Sequence, residues 1–271
     1  MKRGYKVAIL HRGTHEIDLP SDIEHLHGDP HFIETLNETL GARTFGIVIV
    51  MYGRLRYIAE VMRERTERLI CAGGAAVYRR WLHPRQNPNP ADSSFLIPEN
   101  APLVTSPEPD GLERDAFFRF SNLLANTELN VMEHHHLGYY KASICSFPMI
   151  YGPRQLIPGE WSIIRRILDG RKRLIVADGG LIIESRGYSE NMAHGLFLCV
   201  DHPEESAGQV YNVADEDALS LKDWIETISE VMDYEFEWIF PQNLQHHLYL
   251  TEWQSALLQR SPGNFTTEYW I

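Results

Sequence analysis

The stretch ASICSFPMIYGPRQ, residues Ala142–Gln155, decides how the chain is expected to fold. Its first part, Ala142–Phe147, is a run of apolar and small residues without strict alternation. Such a run is typical of a strand that is covered on both faces of a parallel sheet. The segment Phe147–Gln155 then leaves this strand at its carboxyl end, which is the edge where doubly wound proteins bind their ligands.

Runs of the same character occur four more times upstream. The predicted strands are Tyr5–Leu10, Ile23–His27, Gly46–Met51 and Leu69–Ala72. Helical patterns lie between the predicted strands, at Pro30–Leu40, Arg54–Arg65 and Leu112–His136. This β-α-β-α order predicts an α/β fold built on a doubly wound parallel sheet.

The character of the chain changes after Pro153, so we divide it into a main domain, residues 1–155, and a smaller lobe, residues 156–271, interleaved with the main sheet. The elements predicted for the lobe are Trp161–Asp169, a glycine-rich turn at Asp178–Gly180, Glu190–Val200, Gln209–Val213 and Leu221–Met232. Ser220 and Asp223 form a capping-box pattern at the start of the last helix. In the main domain, His83–Asp110 holds seven of the fifteen prolines, which predicts a long surface loop.

Composition limits the class of protein. The formal net charge of -12 argues against broad affinity for nucleic acid or for anionic membranes. No stretch approaches the length of an apolar membrane span, and the start lacks a signal-peptide pattern. Cys71, Cys145 and Cys199 lie in apolar stretches and are expected to be buried thiols in a reducing compartment. These features predict a cytoplasmic protein, and they are compatible with a homo-oligomer.

Six short segments in chain order carry a resemblance to a known family. They are KVAILHRG (Lys6–Gly13), EHLHGD (Glu24–Asp29), AAVY (Ala75–Tyr78), FPMIYGPRQ (Phe147–Gln155), RGYSEN (Arg186–Asn191) and GQVYNVADEDALSLKDW (Gly208–Trp224). Together they resemble the extended short-chain dehydrogenases/reductases, the NAD-dependent epimerase/dehydratase family. The resemblance implies a Rossmann-like fold with a small C-terminal substrate lobe. It also implies NAD or NADP as cofactor and a small-molecule or nucleotide-linked substrate.

Two parts of the family pattern have no counterpart in this sequence. If Lys6–Gly13 resembles the second strand, the first strand, its glycine-rich turn and the first helix are missing. Those glycines bring the backbone close to a dinucleotide pyrophosphate. The alternatives are a sequence that starts inside the family pattern and a genuine loss of this part.

The second missing part is the Ser/Thr, Tyr and Lys triad, since no Tyr-x-x-x-Lys occurs in the chain. The resemblance places the three positions at Gly74, Phe120 and Leu124, none of which transfers a proton or lowers the pKa of a tyrosine. Phe120 and Leu124 are one helical turn apart and are expected to belong to an ordinary packed face. The resemblance therefore implies oxidoreductase chemistry that is altered or lost.

The remaining site residues are also implied by the resemblance, and for each a structural role is the alternative. Arg12 would pair with the 2'-phosphate of NADP, or else lie solvated at a strand end. Asp29 would meet the adenine, or else form an Asp-Pro turn. The other cofactor positions are Tyr52, Gly53, Pro148 and Met149, and the substrate cleft would be lined by Tyr151, Arg154, Arg186 and Tyr188.

No metal site is predicted from the spacing of the histidines. His134, His135 and His136 are consecutive, whereas helical metal ligands are three or four residues apart, so a solvated helix end is expected there. The basic residues Arg165, Arg166 and Arg171–Arg173 are expected to be solvated charge at a helix end, and the alternative is a site for a phosphate-bearing substrate or an RNA backbone. Two functions remain: an epimerase- or dehydratase-like protein with unusual chemistry, and a non-catalytic homologue that binds or acts as a scaffold, with RNA as one conceivable partner.

Overall fold

The computed structural model describes residues 3–13, 18–51, 54–79, 97–105, 116–155 and 158–240. These residues form two compact units. Of the described residues, the first unit contains those up to Phe147 together with His194–Val213, and the second contains those of Pro148–Ala193 together with 214–240. The division at residue 155 remains a prediction about domain organisation.

The described residues form twelve strands and seven α-helices. The strands are β1 (Ala8–His11), β2 (Glu24–His27), β3 (Phe45–Val50), β4 (Thr66–Gly74), β5 (Lys141–Phe147), β6 (Met149–Tyr151), β7 (Arg173–Ile175), β8 (Ile183–Glu184), β9 (Arg186–Tyr188), β10 (Gln209–Asn212), β11 (Leu219–Ser220) and β12 (Glu237–Ile239). The helices are α1 (Ile33–Leu40), α2 (Leu55–Val61), α3 (Ala116–His136), α4 (Trp161–Leu168), α5 (Ser189–Asp201), α6 (Pro203–Ser206) and α7 (Leu221–Val231).

The main sheet of the first unit has the strand order β10-β5-β4-β3, and all neighbours are parallel. Nearly every side chain of β4 and β5 is buried, because both strands are apolar without alternation and have neighbours on both sides. The predicted strands Leu69–Ala72 and Ala142–Phe147 lie inside these elements. The predicted parallel α/β sheet is therefore confirmed at its centre.

Helices α1, α2 and α3 cover this sheet with an apolar core. Its buried members include Leu36 and Leu40 of α1, Ala59 of α2, Val131 of α3 and Ile144 of β5. The predicted helices begin three residues before α1 and one residue before α2. All three cysteines are buried free thiols, as the sequence predicts.

The strands β1 and β2 form a separate parallel pair. The prediction that they are buried is wrong, because Tyr5 lies outside β1 and is exposed, and three of the four residues of β2 are exposed. Leu10 and Leu26 pack against the core, whereas the alternate residues face away from it. Within the described residues, no ladder of hydrogen bonds joins β1 to β3.

The end of helix α3 differs from the predicted solvated end. His134 is buried, and its Nδ1 lies 3.1 Å from the Tyr140 hydroxyl while the Arg63 Nε donates to its Nε2 over 3.2 Å. Burial, with the Arg63 charge beside it, lowers the pKa of His134. The ring is thus a neutral packing and hydrogen-bonding group, and only His136 of the three is exposed.

The second unit is built from short strand pairs and two helices. The pairs β6–β9 and β7–β12 are parallel, and β8–β11 is antiparallel. Helices α4 and α7 contribute Ile163, Ile167 and Ile225 to its core. The predicted glycine-rich turn is confirmed as a 3₁₀ turn at Ala177–Gly180, in which Asp178 and both glycines have positive φ.

The predicted cap of helix α7 is also confirmed. The Ser220 Oγ accepts a hydrogen bond of 3.1 Å from the Asp223 N–H, and the same hydroxyl donates to the Asp223 carboxylate. One orphan donor of the first helical turn is satisfied in this way.

Two further predictions concern the surface. Of the predicted loop His83–Asp110, the described part, residues 97–105, has no helix or strand beyond one bridge from Leu103 to Tyr78. Three of the five cations of the basic run near α4 form ion pairs within their own unit, since Arg165 and Arg171 pair with Asp169 and Arg173 pairs with Glu237. None of the described helices has the length and apolarity needed to cross a membrane.

Candidate ligand-binding site

The second unit contains a cavity of about 370 Å³. Three of the four predicted cleft residues, Tyr151, Arg186 and Tyr188, line it. The fourth, Arg154, does not line this cavity and is exposed in a left-handed backbone conformation. The structure therefore brings together most of the predicted cleft.

Strand pairing sets the positions of these side chains. β6 and β9 are parallel neighbours, with Tyr151 opposite Tyr188. Arg186 and Tyr188 are two residues apart on β9 and so face the same side of the pair. Helix α7 adds Trp224, whose ring lies 4.9 Å from that of Tyr151 at a steep angle. The result is an aromatic wall around one cation.

Arg186 is the cation among the described residues that line the cavity. Its side chain is only 11% exposed and its Nη2 donates to the Glu184 carboxylate. The guanidinium carbon lies 4.4 Å from the centre of the Trp224 ring, a favourable cation–π geometry. Burial lowers the pKa of Arg186, because the charged guanidinium is poorly solvated by water. Nη1 is buried and has no hydrogen-bond partner among the described residues.

Asp215 is a second organising residue of the cavity. Its carboxylate accepts from the Asn191 side chain over 2.7 Å and from the Tyr188 N–H over 3.0 Å. Although burial works in the other direction, these bonds and one from the Tyr151 hydroxyl hold the pKa of Asp215 below its ordinary value. Burial, together with Asp215, raises the pKa of Tyr151 to about 12. Tyr151 therefore acts as a hydrogen-bond donor and not as a base at neutral pH.

The triad positions lie in the first unit and carry no acid or base. Gly74 ends β4, and its N–H donates to the Glu128 Oε1 over 3.4 Å. Leu124 packs against the small cluster of Val77, Tyr78 and Ala125. The expectation of a packed face is wrong for Phe120, which is 44% exposed. Helical spacing identified the shared face of Phe120 and Leu124, but it did not show that this face is only partly covered.

The predicted cofactor residues have ordinary local surroundings where the structure describes them. Arg12 follows β1 and is half-buried. The Asp29 carboxylate accepts from the His31 N–H over 2.9 Å and lies 2.6 Å from the His31 ring, as in a turn. Pro148 is half-buried and Met149 is exposed. Tyr52 and Gly53 lie outside the described residues. The cofactor role of all six stays a prediction.

The sequence did not single out the other eight residues that line the cavity. Four of these eight are Glu184, Asn191, Asp215 and Trp224, and the last three of the four lie within the quoted segments Arg186–Asn191 and Gly208–Trp224. No spacing rule marks them, because their meeting depends on the β6–β9 pairing and on the packing of α7. The sequence signal that could have found three of them is their place in these two segments.

Comparisons with known proteins place these observations in context. No protein-family model matches the chain. The protein y4nL of Sinorhizobium fredii is 30% identical over 89 residues, which are 33% of this chain and 24% of that protein. This chain thus matches only about a quarter of that curated relative.

Solved structures match far more of the chain. A dTDP-glucose 4,6-dehydratase from Bacillus anthracis in complex with NAD has a TM-score of 0.63 and 13% identity, over 98% of this chain and 86% of that one. An epimerase from Methanothermobacter thermautotrophicus has a TM-score of 0.64 and 15% identity, over 90% of this chain and 74% of that one. The chain has the Rossmann-type α/β fold of NAD-dependent epimerases and dehydratases, and the resemblance is confirmed as a likeness of fold.

Proposed function

We propose that the protein binds a phosphorylated or nucleotide-linked sugar in the cavity around Arg186 and that it lacks the usual oxidoreductase chemistry of its fold. One observation carries the proposal: among the described residues, one donor nitrogen of the buried Arg186 guanidinium has no hydrogen-bond partner, and Arg186 lines a cavity with aromatic walls. We assign the chain to the epimerase/dehydratase family as an atypical, cytoplasmic member that binds its ligand without family-type turnover.

Arg186 favours an anionic ligand group. A buried donor without a partner costs roughly 1–3 kcal/mol, and more when it is charged. A phosphate oxygen at Nη1 would remove that cost and form a charge-assisted hydrogen bond. The carboxylate of Glu184 already holds the neighbouring nitrogen, so the guanidinium is oriented before a ligand arrives.

The acidic part of the cavity favours hydroxyl groups next to that anion. Glu216 and Asp217 line the cavity and are exposed. Carboxylates accept hydrogen bonds from hydroxyls and repel anions, so they direct the anionic segment of a ligand toward Arg186. The rings of Tyr151, Tyr188 and Trp224 offer apolar faces of the kind that sugars and bases pack against. A ligand with one anionic segment and one polyhydroxyl segment fits this charge distribution, and the relative from Bacillus anthracis is named for such a compound, dTDP-glucose.

The residues of this chain do not fit NAD or NADP in the manner of the family. Leu124 at the lysine position has no donor for a ribose hydroxyl, and Phe120 has no hydroxyl to exchange a proton. Neither Gly-x-Gly-x-x-Gly nor Gly-x-x-Gly-x-x-Gly occurs in residues 1–271, so these residues do not supply the usual backbone contacts to a pyrophosphate. We therefore derive no hydride transfer for this protein.

Calorimetry with dTDP, UDP and dTDP-glucose tests the proposed ligand class. We expect binding that Arg186→Gln weakens about 10- to 100-fold, the loss that follows from one charge-assisted hydrogen bond. Arg154→Gln is the matched control, because Arg154 is an exposed arginine of the same unit that does not line the cavity. If the wild-type chain binds none of the three compounds, or if both variants weaken binding equally, the proposed site is wrong.

A second experiment tests the loss of chemistry. With NAD or NADP added, we expect no conversion of dTDP-glucose when the products are separated by chromatography, and none after Phe120→Tyr and Leu124→Lys are combined, because Gly74 still lacks the hydroxyl of the third triad position. Turnover by the wild-type chain would refute the proposal of a non-catalytic homologue while leaving the ligand site intact.

A further inference from the structure

We propose that His11, His25 and His27 of the first unit form a binding site for a divalent transition-metal ion, and that zinc is the ion they suit best. One ring nitrogen from each residue lies within 4.8 Å of the other two. Sequence spacing gave no sign of this cluster, because the histidines come from two strands.

The parallel pairing of β1 with β2 creates the cluster. His11 lies opposite His27, and His25 is two residues before His27 on the same strand. Alternate residues of a strand share a face, so all three side chains lie on one face of the pair. The rings also converge, since the centre of the His11 ring is 5.1 Å from that of His25 and 4.8 Å from that of His27.

The ring nitrogens of the three histidines are already close to the separations that a bound zinc ion requires. Zinc binds imidazole nitrogens at about 2.0–2.1 Å in a tetrahedron, which separates the nitrogens by roughly 3.3 Å. The His11 Nε2 and His25 Nδ1 are 2.9 Å apart, and the largest separation in the cluster is below 4.8 Å. Small rotations of the exposed His25 and His27 rings would bring all three nitrogens to a common ion.

The donor set determines which ion is expected. Three imidazoles without a thiolate or carboxylate favour zinc, copper or nickel over magnesium or calcium, which prefer oxygen ligands. Among the described residues the cluster has three ligands, so with respect to these residues the fourth position of a zinc ion is available to water or to an anion.

The hydrogen bonds of His11 show what must change on binding. The Gly13 N–H donates to the His11 Nδ1 over 3.0 Å, so in the neutral ring the proton is on Nε2, next to the His25 Nδ1. Coordination through the His11 Nε2 moves that proton to Nδ1 and opens the hydrogen bond from Gly13. Metal binding is thus coupled to the backbone just after β1, where Gly13 has a φ of 75°.

The test uses the full chain carrying an affinity tag without histidines, treated with a chelator and then titrated with Zn²⁺ by calorimetry and with Co²⁺ by visible absorption. We expect one equivalent to bind, and a shift of the Gly13 amide resonance that EDTA reverses. His25→Asn and His27→Asn should each weaken binding by at least about tenfold, since even loss of a group that supports a ligand costs 10- to 100-fold.

The matched control is His136→Asn, because His136 is exposed and belongs to the other histidine cluster of the chain. It should bind zinc like the wild type. Circular dichroism will show whether each variant is folded, which we expect because His25 and His27 are exposed. The proposal is overturned if the wild type binds no stoichiometric zinc, or if folded His25→Asn and His27→Asn chains bind as tightly as the wild type. A loss confined to His136→Asn would assign the ion to His134–His136 and would also overturn it.

Discussion

Glu128 is a buried carboxyl group of the first unit whose pKa makes the stability of the fold depend on pH. The carboxyl group is buried beneath the end of β4, where its Oε1 accepts from the Gly74 N–H. A side chain at Gly73 would collide with it, since an added Cβ would meet the carboxylate at once. Burial raises the pKa of Glu128 to about 8. The native protein therefore keeps a neutral carboxylic acid where the sequence shows an ordinary helical glutamate.

We expect the free energy of unfolding to decrease as the pH rises from about 5 to about 8. In this range the folded chain keeps the proton of Glu128, whereas the unfolded chain has released it. Because the folded state binds more protons than the unfolded state, the free energy of unfolding declines by at most about 1.4 kcal/mol per pH unit. Glu128→Gln should flatten this slope in urea denaturation experiments. Glu133→Gln, an exposed position on the same helix, is the control, and an equal slope in all three chains would contradict the assignment.

The site shows which residues a sequence can reveal. Tyr151, Arg186 and Tyr188 could be identified because they stand in short segments with a recognisable order. Asp215 and Trp224 could not, because their roles depend on a neighbouring strand and helix. His11, His25 and His27 could not either, because the register of β1 against β2 brings them together. The exposed Phe120 was assigned to a packed face because periodicity says which residues share a face but not what covers it.

Among the elements, helix α7 offers a direct test of local stability. Its Ser220 cap satisfies the Asp223 N–H, so Ser220→Ala should lower the free energy of unfolding by about 1 kcal/mol. Urea denaturation followed by circular dichroism measures the change. Ser220→Thr keeps the accepting hydroxyl and should lose much less. Equal losses in the two variants would show that packing of the serine, and not the cap, is responsible.

The strands differ in how well the sequence predicts them. β4 and β5 were found because several buried apolar residues follow one another, and α7 was found because its cap and its periodicity agree. β6 and β9 have three residues each, which is too short for a period to be detected. The predicted burial of β1 and β2 failed because apolar content alone does not show that one face of a strand pair lacks a cover.

At the scale of the whole molecule, the main sheet ends in an apolar edge strand. β3 has the sequence FGIVIV and is the last strand of the order β10-β5-β4-β3. In the part of the chain that the structure describes, no strand pairs with its outer side. Edge strands usually carry charges or prolines that prevent pairing with other chains. β3 carries neither, so strand addition between copies is expected at high concentration.

Ile49→Lys tests this expectation, because Ile49 of β3 is 40% exposed and a lysine on an edge strand discourages pairing. We expect light scattering to show less association than in the wild type, with little loss of stability. Val231→Lys is the control, since Val231 is 84% exposed but lies on a helix. A similar decrease in both variants would attribute the association to general surface hydrophobicity.

The position of β10 in the main sheet also affects how the protein is made. β5 is completed at Phe147, and its neighbour β10 begins at Gln209, a difference of 209 − 147 = 62 residues. At a ribosomal rate of about 5–20 residues per second, the apolar β5 remains an open edge for roughly 3–12 s. Throughout that interval the nascent chain exposes to chaperones a strand that is almost entirely buried in the native structure, because the strand that pairs with it has not yet been translated.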